Sequence, residues 1–255
     1  MLPIIELFGL PGAGKTFLGQ KLLASFTAKQ VKVLGCDEAA VQGLKNRDDG
    51  WITNLVKQLP AFLWHRVIHE DYCLQEFLTW VSKNTAYSRL IFTVLGTAEI
   101  QETHCRSILG AISRTSVEYE LLKHVPYIPA KVVLADEWFY HRFYTLFGNC
   151  CLSPSQQQIL DYIQSVPASD CAVFVATPPQ LCLERIERRG RFPHYLKNIS
   201  VMEQKNILQR AYISLLDFIE ELKRQGRMIV VYDGIDENIE DIARSCFDYV
   251  EKSKG

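Results

Sequence analysis

Ile4-Ile5-Glu6-Leu7-Phe8-Gly9-Leu10-Pro11-Gly12-Ala13-Gly14-Lys15-Thr16 is the most informative stretch of the chain. Ile4–Phe8 is an apolar run of strand length. Glycines follow at 9, 12 and 14, and then Leu18, Leu22 and Phe26 recur at helical spacing. A strand, a glycine-rich turn and a helix in that order gather backbone N–H groups and the positive end of a helix around one point. The spacing from Gly9 to Gly14-Lys15-Thr16 fits G-x-x-x-x-G-K-[ST], the P-loop. Ordinary residue usage yields that pattern in about one chain of this length in a hundred. The flanking strand and helix make an incidental glycine turn the weaker reading.

The residue types follow from a phosphate ligand. Glycines let the backbone wrap close to phosphate oxygens and turn its N–H groups inward. Gly9, Pro11, Gly12, Ala13, Gly14, Lys15, Thr16 and Phe17 are expected to hold a nucleoside triphosphate, ATP. Lys15 would bridge the outer phosphates and the Thr16 hydroxyl would bind Mg²⁺.

Four more apolar runs read as strands: Val31–Cys36, Lys131–Asp136, Cys171–Ala176 and Met228–Tyr232. Continuous apolar character suits strands buried on both faces, and the helical patterns between them point to a parallel sheet. Leu208, Ala211, Tyr212, Leu215, Ile219 and Leu222 mark a long helix that Gly226 ends, and Ile239 to Val250 repeat the pattern. Ser153-Pro154-Ser155-Gln156 has capping-box spacing with proline at the first helical position. The stretch 37–130 is mostly helical, too long for a simple crossover, and is expected to supply two to four helices that cover one end of the sheet. It would form the wall of an acceptor pocket and offers apolar area for a homodimer.

At ~150 residues per domain, 255 residues correspond to between one and two domains. Hydrophobic residues make up 48% and charged ones 22%, which excludes disordered, collagen-like and coiled-coil classes. With 28 basic and 29 acidic residues the net charge is −1, so no global field marks a nucleic-acid or membrane-surface partner. No apolar run reaches the ~18 residues of a membrane span, and Lys15 interrupts the first apolar stretch, so no signal peptide is expected. The eight cysteines contain no Cys-x-x-Cys pair and lie mostly in apolar stretches, which suits reduced thiols in a cytoplasmic protein.

Acidic groups close two strands. Strand two ends in Cys36-Asp37-Glu38, where Asp37 or Glu38 could orient or deprotonate an acceptor. Strand three ends in Val132-Val133-Leu134-Ala135-Asp136-Glu137, a Walker B pattern in which Asp136 would hold Mg²⁺ with Thr16. Glu137 could instead activate water. Arg142 is either a phosphate contact or a surface arginine, and His141 reads as a half-buried structural histidine. After strand four, Arg185, Arg188 and Arg189 share one helix face, and Arg191 follows a C-cap glycine. On a mobile lid these arginines would neutralise a transferring phosphoryl group and exclude water.

Ala176-Thr177-Pro178, Cys182-Leu183, Arg185-Ile186 and Arg189-Gly190-Arg191 resemble the lid of deoxynucleoside kinases, especially the deoxycytidine/deoxyguanosine type, in a superfamily that includes thymidylate kinases. The P-loop and the position of Asp37-Glu38 are similar as well. Tyr232-Asp233-Gly234-Ile235-Asp236 resembles the loop where such kinases hold adenine, which implies Asp236 at the donor, and the lid resemblance implies Arg189 among the donor-binding residues as well. The chain departs from the pattern at three places. Asp136-Glu137 with Arg142 replaces an acidic–arginine pair, Asp37-Glu38-Ala39 replaces Glu-Pro, and Phe192-Pro193-His194-Tyr195 stands where acids follow the lid arginines.

The resemblance implies an α/β fold, the P-loop NTPase three-layer sandwich. It would have a five-stranded parallel sheet, a helical insert and an arginine-rich lid at about 185–200, in a single domain over 1–255. It implies ATP–Mg²⁺-dependent transfer to a small molecule, a nucleoside or nucleotide. The alternatives are an ATPase that drives a partner through Asp136-Glu137, and a non-catalytic nucleotide-binding module.

Overall fold

The computed structural model describes residues 1–46, 74–97, 102–126, 131–234 and 239–252. β1 (Ile4–Phe8) is buried at every position, so it needs strands on both sides and helices on both faces. In chain order the described elements after it are α1 (Lys15–Ala28), β2 (Lys32–Gly35), α2 (Cys36–Asn46), α3 (Leu74–Lys83), α4 (Thr85–Thr97), α5 (Glu102–Leu122), β3 (Lys131–Asp136) and α6 (Phe139–Phe143). They continue with α7 (Gln156–Ser165), β4 (Cys171–Val175), α8 (Pro179–Arg189), α9 (Val201–Arg224), β5 (Ile229–Tyr232) and α10 (Ile239–Lys252). The strands form one all-parallel sheet in the order β2-β3-β1-β4-β5.

Side chains alternate across β1. Leu7 lies against Gly19 of α1. Glu6 and Phe8 point the other way, Glu6 to the backbone of α6 and Phe8 to the rings of Tyr140 on α6 and Phe218 on α9. Helices therefore flank the sheet on both faces, with α10 packed beside α1. α6 is the hub on its face. Its Phe139 stacks on Trp80 of α3, and its Phe143 stacks on Phe218 with ring centroids 4.1 Å apart. Each such buried ring is worth roughly 1.5–3 kcal/mol.

The strand order places the site. From β1 the chain crosses to β2 on one side, and from the adjacent β3 it crosses to β4 on the other. Between two neighbours whose connections diverge, a crevice opens beyond their carboxyl ends. The turn Gly9–Gly14 leaves β1 there, and Asp136-Glu137 leaves β3.

The expected strands are present, β1 and β3 with the expected bounds and β2, β4 and β5 with shorter ends. Cys36 already belongs to α2, so Asp37 and Glu38 sit in that helix's first turn and not in a loop. Full burial holds for β1 and β4 but fails at the edges. β2 exposes Lys32 and Gly35 and β5 exposes Val231, because each has a neighbour on one side only. The run Ile4–Phe8 is not wholly apolar in effect, since Glu6 is buried within it.

The helix after Pro154 is capped by Ser155, not Ser153. Ser155 is extended, its Oγ accepts from the Gln158 N–H, and Gln158 accepts from the Ser155 N–H. Pro154 thus precedes the cap. Within 37–130 the described residues carry α2 to α5, with α2 and α3 both packed on α5. Gly43 is required there, because a Cβ would overlap the Leu121 carbonyl. Among the described residues the cysteines are free thiols, and no helix is long and apolar enough to cross a membrane.

Candidate phosphate-binding site

The Gly9–Gly14 turn is held open by the elements behind it. Thr177 Oγ1 donates to the Ala13 carbonyl at 2.7 Å, and Arg185 Nη1 donates to the same oxygen at 2.8 Å and to Gly12 O at 3.3 Å. With the Ala13 carbonyl drawn toward α8, the Gly14 N–H of the same planar peptide points the opposite way. Gly12 has φ 81°, and a Cβ there would lie 2.5 Å from the Cys182 carbonyl. Only glycine allows the turn to run this close to α8. Gly14 then caps α1 at φ 104° with no side-chain hydrogen bond and no acid in the first turn. The first N–H groups of α1 are thus left for an anion.

Lys15 is buried beside this turn. Its ammonium donates to Gly9 O and Leu10 O at 3.4 and 3.3 Å and pairs with Glu137 at 3.6 Å. Thr16 Oγ1 donates to Asp136 Oδ2 at 3.3 Å, so the two expected metal ligands are side by side. Among the described residues no group of three His, Cys, Asp or Glu could hold a metal. A hydroxyl and one carboxylate suit Mg²⁺, which takes its remaining ligands from phosphate oxygens and water.

Glu137 lies among three basic side chains of the site. Its backbone has φ 71°, a left-handed conformation for a non-glycine residue. His141 Nε2 lies 3.4 Å from its carboxylate, Lys15 3.6 Å and Arg142 Nη1 3.9 Å. His141, Lys15 and Arg142 pull its carboxyl below the usual range, to about 2, against burial. Burial pushes His141 down to about 3, so its pull on Glu137 acts only in acid; at pH 7 the ring is neutral and Lys15 and Arg142 are the cations beside that carboxylate. Arg142 is itself buried, donating to Thr115 Oγ1 at 2.8 Å, and is not a surface arginine.

Two cavities meet at this point. One of about 500 Å³ is lined by Lys15, Thr16, Asp136, Glu137, Arg189 and Arg191, with Phe192 and Pro193 also on its border. A second of about 360 Å³ is lined by Phe17, Arg185, Arg188, Arg189, Tyr232 and Gly234. Gly14 and Arg189 border both. Gly190 caps α8 at φ 63°, as its position before Arg191 suggests, and turns the chain over the first cavity. Farther on, Tyr195 bonds to Tyr144 and Gln204 donates to Leu196 O, which anchors the segment after the arginines.

The other expected residues are placed as follows. Asp37 accepts from Arg114 Nη2 at 2.9 Å, and Arg114 Nε donates to Glu118 at 2.9 Å. Burial lifts Glu118 to about 7 against the pull of Arg114. Glu38 is exposed. Neither Asp37 nor Glu38 lines the two cavities, whereas Glu137 lines the first. Asp236 lies outside the described residues. Reading by motif missed Thr177, which stands within the lid motif without a role, and the Arg114–Glu118 pair, whose i, i+4 spacing on α5 was the available signal. It also missed Glu6, the one charge in an apolar strand. No family model matches the chain, and no curated protein matches it.

Proposed function

We propose that the chain is an ATP–Mg²⁺-dependent phosphotransferase acting on a small molecule of the nucleoside or nucleotide class, built on a P-loop NTPase sandwich. The observation that carries the reading is the meeting of three features at the β1–β3 crevice. These are the uncapped α1 with its glycine turn, the buried Lys15, and the Thr16–Asp136 pair. Donor phosphates would take the place of Glu137 as the partner of Lys15, on the N–H groups of Gly14 and the first turn of α1. Mg²⁺, held by Thr16 and Asp136, supplies charge neutralisation. Arg189 and Arg191 bring cations to the transferring group, and Arg188, Arg189 and Tyr232 border the space for a base. Arg185 acts through the turn, by holding the Gly12 and Ala13 carbonyls.

Phe192 and Pro193 add an apolar border to the first cavity, next to the lid arginines. Asp136 and Glu137 are the acidic groups that line the first cavity among the described residues. Asp37, bound to Arg114, belongs to the wall formed by α2 and α5. A homodimer in the cytoplasm belongs to the same proposal.

ATP consumption measured with a panel of nucleosides, nucleotides and sugars tests the proposal. Turnover should require an acceptor, and Lys15→Ala should lower it by about 10²-fold or more. Unchanged turnover in Lys15→Ala overturns the assignment. Because Glu137 lines the phosphate cavity as an ionised carboxylate, a partner-driving ATPase is the second reading. Acceptor-independent hydrolysis abolished by Glu137→Gln would select it.

A further inference from the structure

We propose that Glu6 is a positioning residue of the phosphate site, a carboxylate on β1 that caps α6 from outside the helix and so sets His141 and Arg142 against Glu137. The proposal rests on the nucleotide reading above for its consequence, though not for its geometry. Glu6 is fully buried at the centre of the sheet, where a carboxylate is costly and an apolar side chain would pack like its neighbours. Both oxygens are engaged. Oε1 accepts from the His141 N–H at 2.8 Å, and Oε2 accepts from Ser169 Oγ at 2.7 Å.

The His141 bond is the informative one. Trp138 is the N-cap of α6 and makes no side-chain capping bond. His141 is three residues on, the position whose N–H an N-cap side chain normally satisfies. Glu6 does this from another strand, and the Tyr140 N–H is turned toward it as well. α6 starts two residues after the left-handed Glu137, with Trp138 between them, so its own chain offers little to fix its entry angle.

From this anchored turn, His141 Nε2 and Arg142 Nη1 reach the Glu137 carboxylate at 3.4 and 3.9 Å, and Glu137 reaches Lys15 at 3.6 Å. Glu6 is thus connected to the P-loop lysine through one short helix. No contact between Glu6 and the phosphate cavity is needed.

The groups around Glu6 make its charge separable. Tyr140, His141 and Arg142 face it from α6, Ser169 from the turn before β4, Cys36 from α2, Tyr87 from α4 and Tyr162 from α7. Burial lifts Glu6 to about 7. The same burial moves Cys36, Tyr87, Tyr140 and Tyr162 up and His141 down, away from neutrality. Glu118, also lifted to about 7, pairs with Arg114 on α5 and serves as the control.

The experiment is nuclear magnetic resonance of the full chain between pH 6 and 8. The His141 backbone amide and the Arg142 Nε–H should shift with the same midpoint as the Glu6 carboxyl carbon. Both shifts should vanish in Glu6→Gln and persist in Glu118→Gln. Shifts that persist in Glu6→Gln, or vanish in Glu118→Gln, overturn the proposal. If Glu6→Gln does not fold, the unmodified protein decides, since different midpoints for the carboxyl carbon and Arg142 overturn it. In parallel, ATP–Mg²⁺ affinity should change across that midpoint in the parent and lose the change in Glu6→Gln. A parent that binds no ATP at any pH defeats the nucleotide reading, while the resonance shifts still decide whether Glu6 positions α6.

Discussion

Single residues in this protein differ in how far their roles extend along the chain. Lys15 and Thr16 belong to a turn motif, so their spacing from Gly9 and Gly14 marks them, whereas their partners Glu137 and Asp136 lie at the far end of β3. Glu6 acts across the sheet, on a helix 135 positions away in sequence, and its solitary charge in an apolar strand is the only local sign. Its titration has a thermodynamic consequence. The folded protein raises it from the ordinary 4.5 to about 7, so folding favours the protonated form. The stability this provides is complete below about pH 4.5 and is lost as pH rises through about 7. Glu6→Gln, which keeps the shape without the charge, should therefore be more stable than the parent at pH 8, by up to roughly 3 kcal/mol at 1.4 kcal/mol per unit. Urea unfolding at pH 5 and pH 8 checks this, and a gap that does not widen with pH counts against it.

Helix α8 joins two jobs in one element. Its buried face, Cys182, Leu183 and Ile186, packs behind the glycine turn, and its arginines border the cavities. Thr177, just before it, and Arg185 within it clasp the same Ala13 carbonyl. Thr177→Val removes one of these bonds at a cost of about 1 kcal/mol. ATP affinity, read by calorimetry, should fall about fivefold with the acceptor side unaffected. On the other side, α2 and α5 meet backbone to backbone at Gly43. Gly43→Ala should destabilise the fold by about 1–3 kcal/mol through overpacking, measured as a lower urea midpoint. Periodicity alone leads one to expect two to four helices in 37–130, and the described residues carry four. It does not give their partners, because a hydrophobic stripe shows that a face is buried without showing what covers it.

The sheet as a unit resolves the charge question. A net charge of −1 conceals a crevice in which Lys15, Arg189 and Arg191 surround the only acids at hand, Asp136 and Glu137, among the described residues lining it. Binding of an anion there should be sensitive to screening, since the Debye length shrinks from about 10 Å at 0.1 M salt to about 3 Å at 1 M. ATP affinity should drop several-fold over that range while the thermal midpoint of the free protein moves little. Equal affinity at both salt concentrations would show that these cations do not face the ligand.

The amino-acid sequence by itself determined the order of strands and helices and the glycine turn with Lys15 and Thr16. It also determined the cationic face of α8, since each of these is written in residues a few positions apart. Only the folded chain determined that β1 lies between β3 and β4, which opens the crevice beside Asp136. Only it bound Asp37 to Arg114, buried Arg142 against Thr115, and set Glu6 under α6. The physical reason is range. Hydrogen-bonded turns and helical periodicity act between near neighbours in sequence, whereas strand order and the partners of buried charges arise from contacts between distant segments, settled by packing.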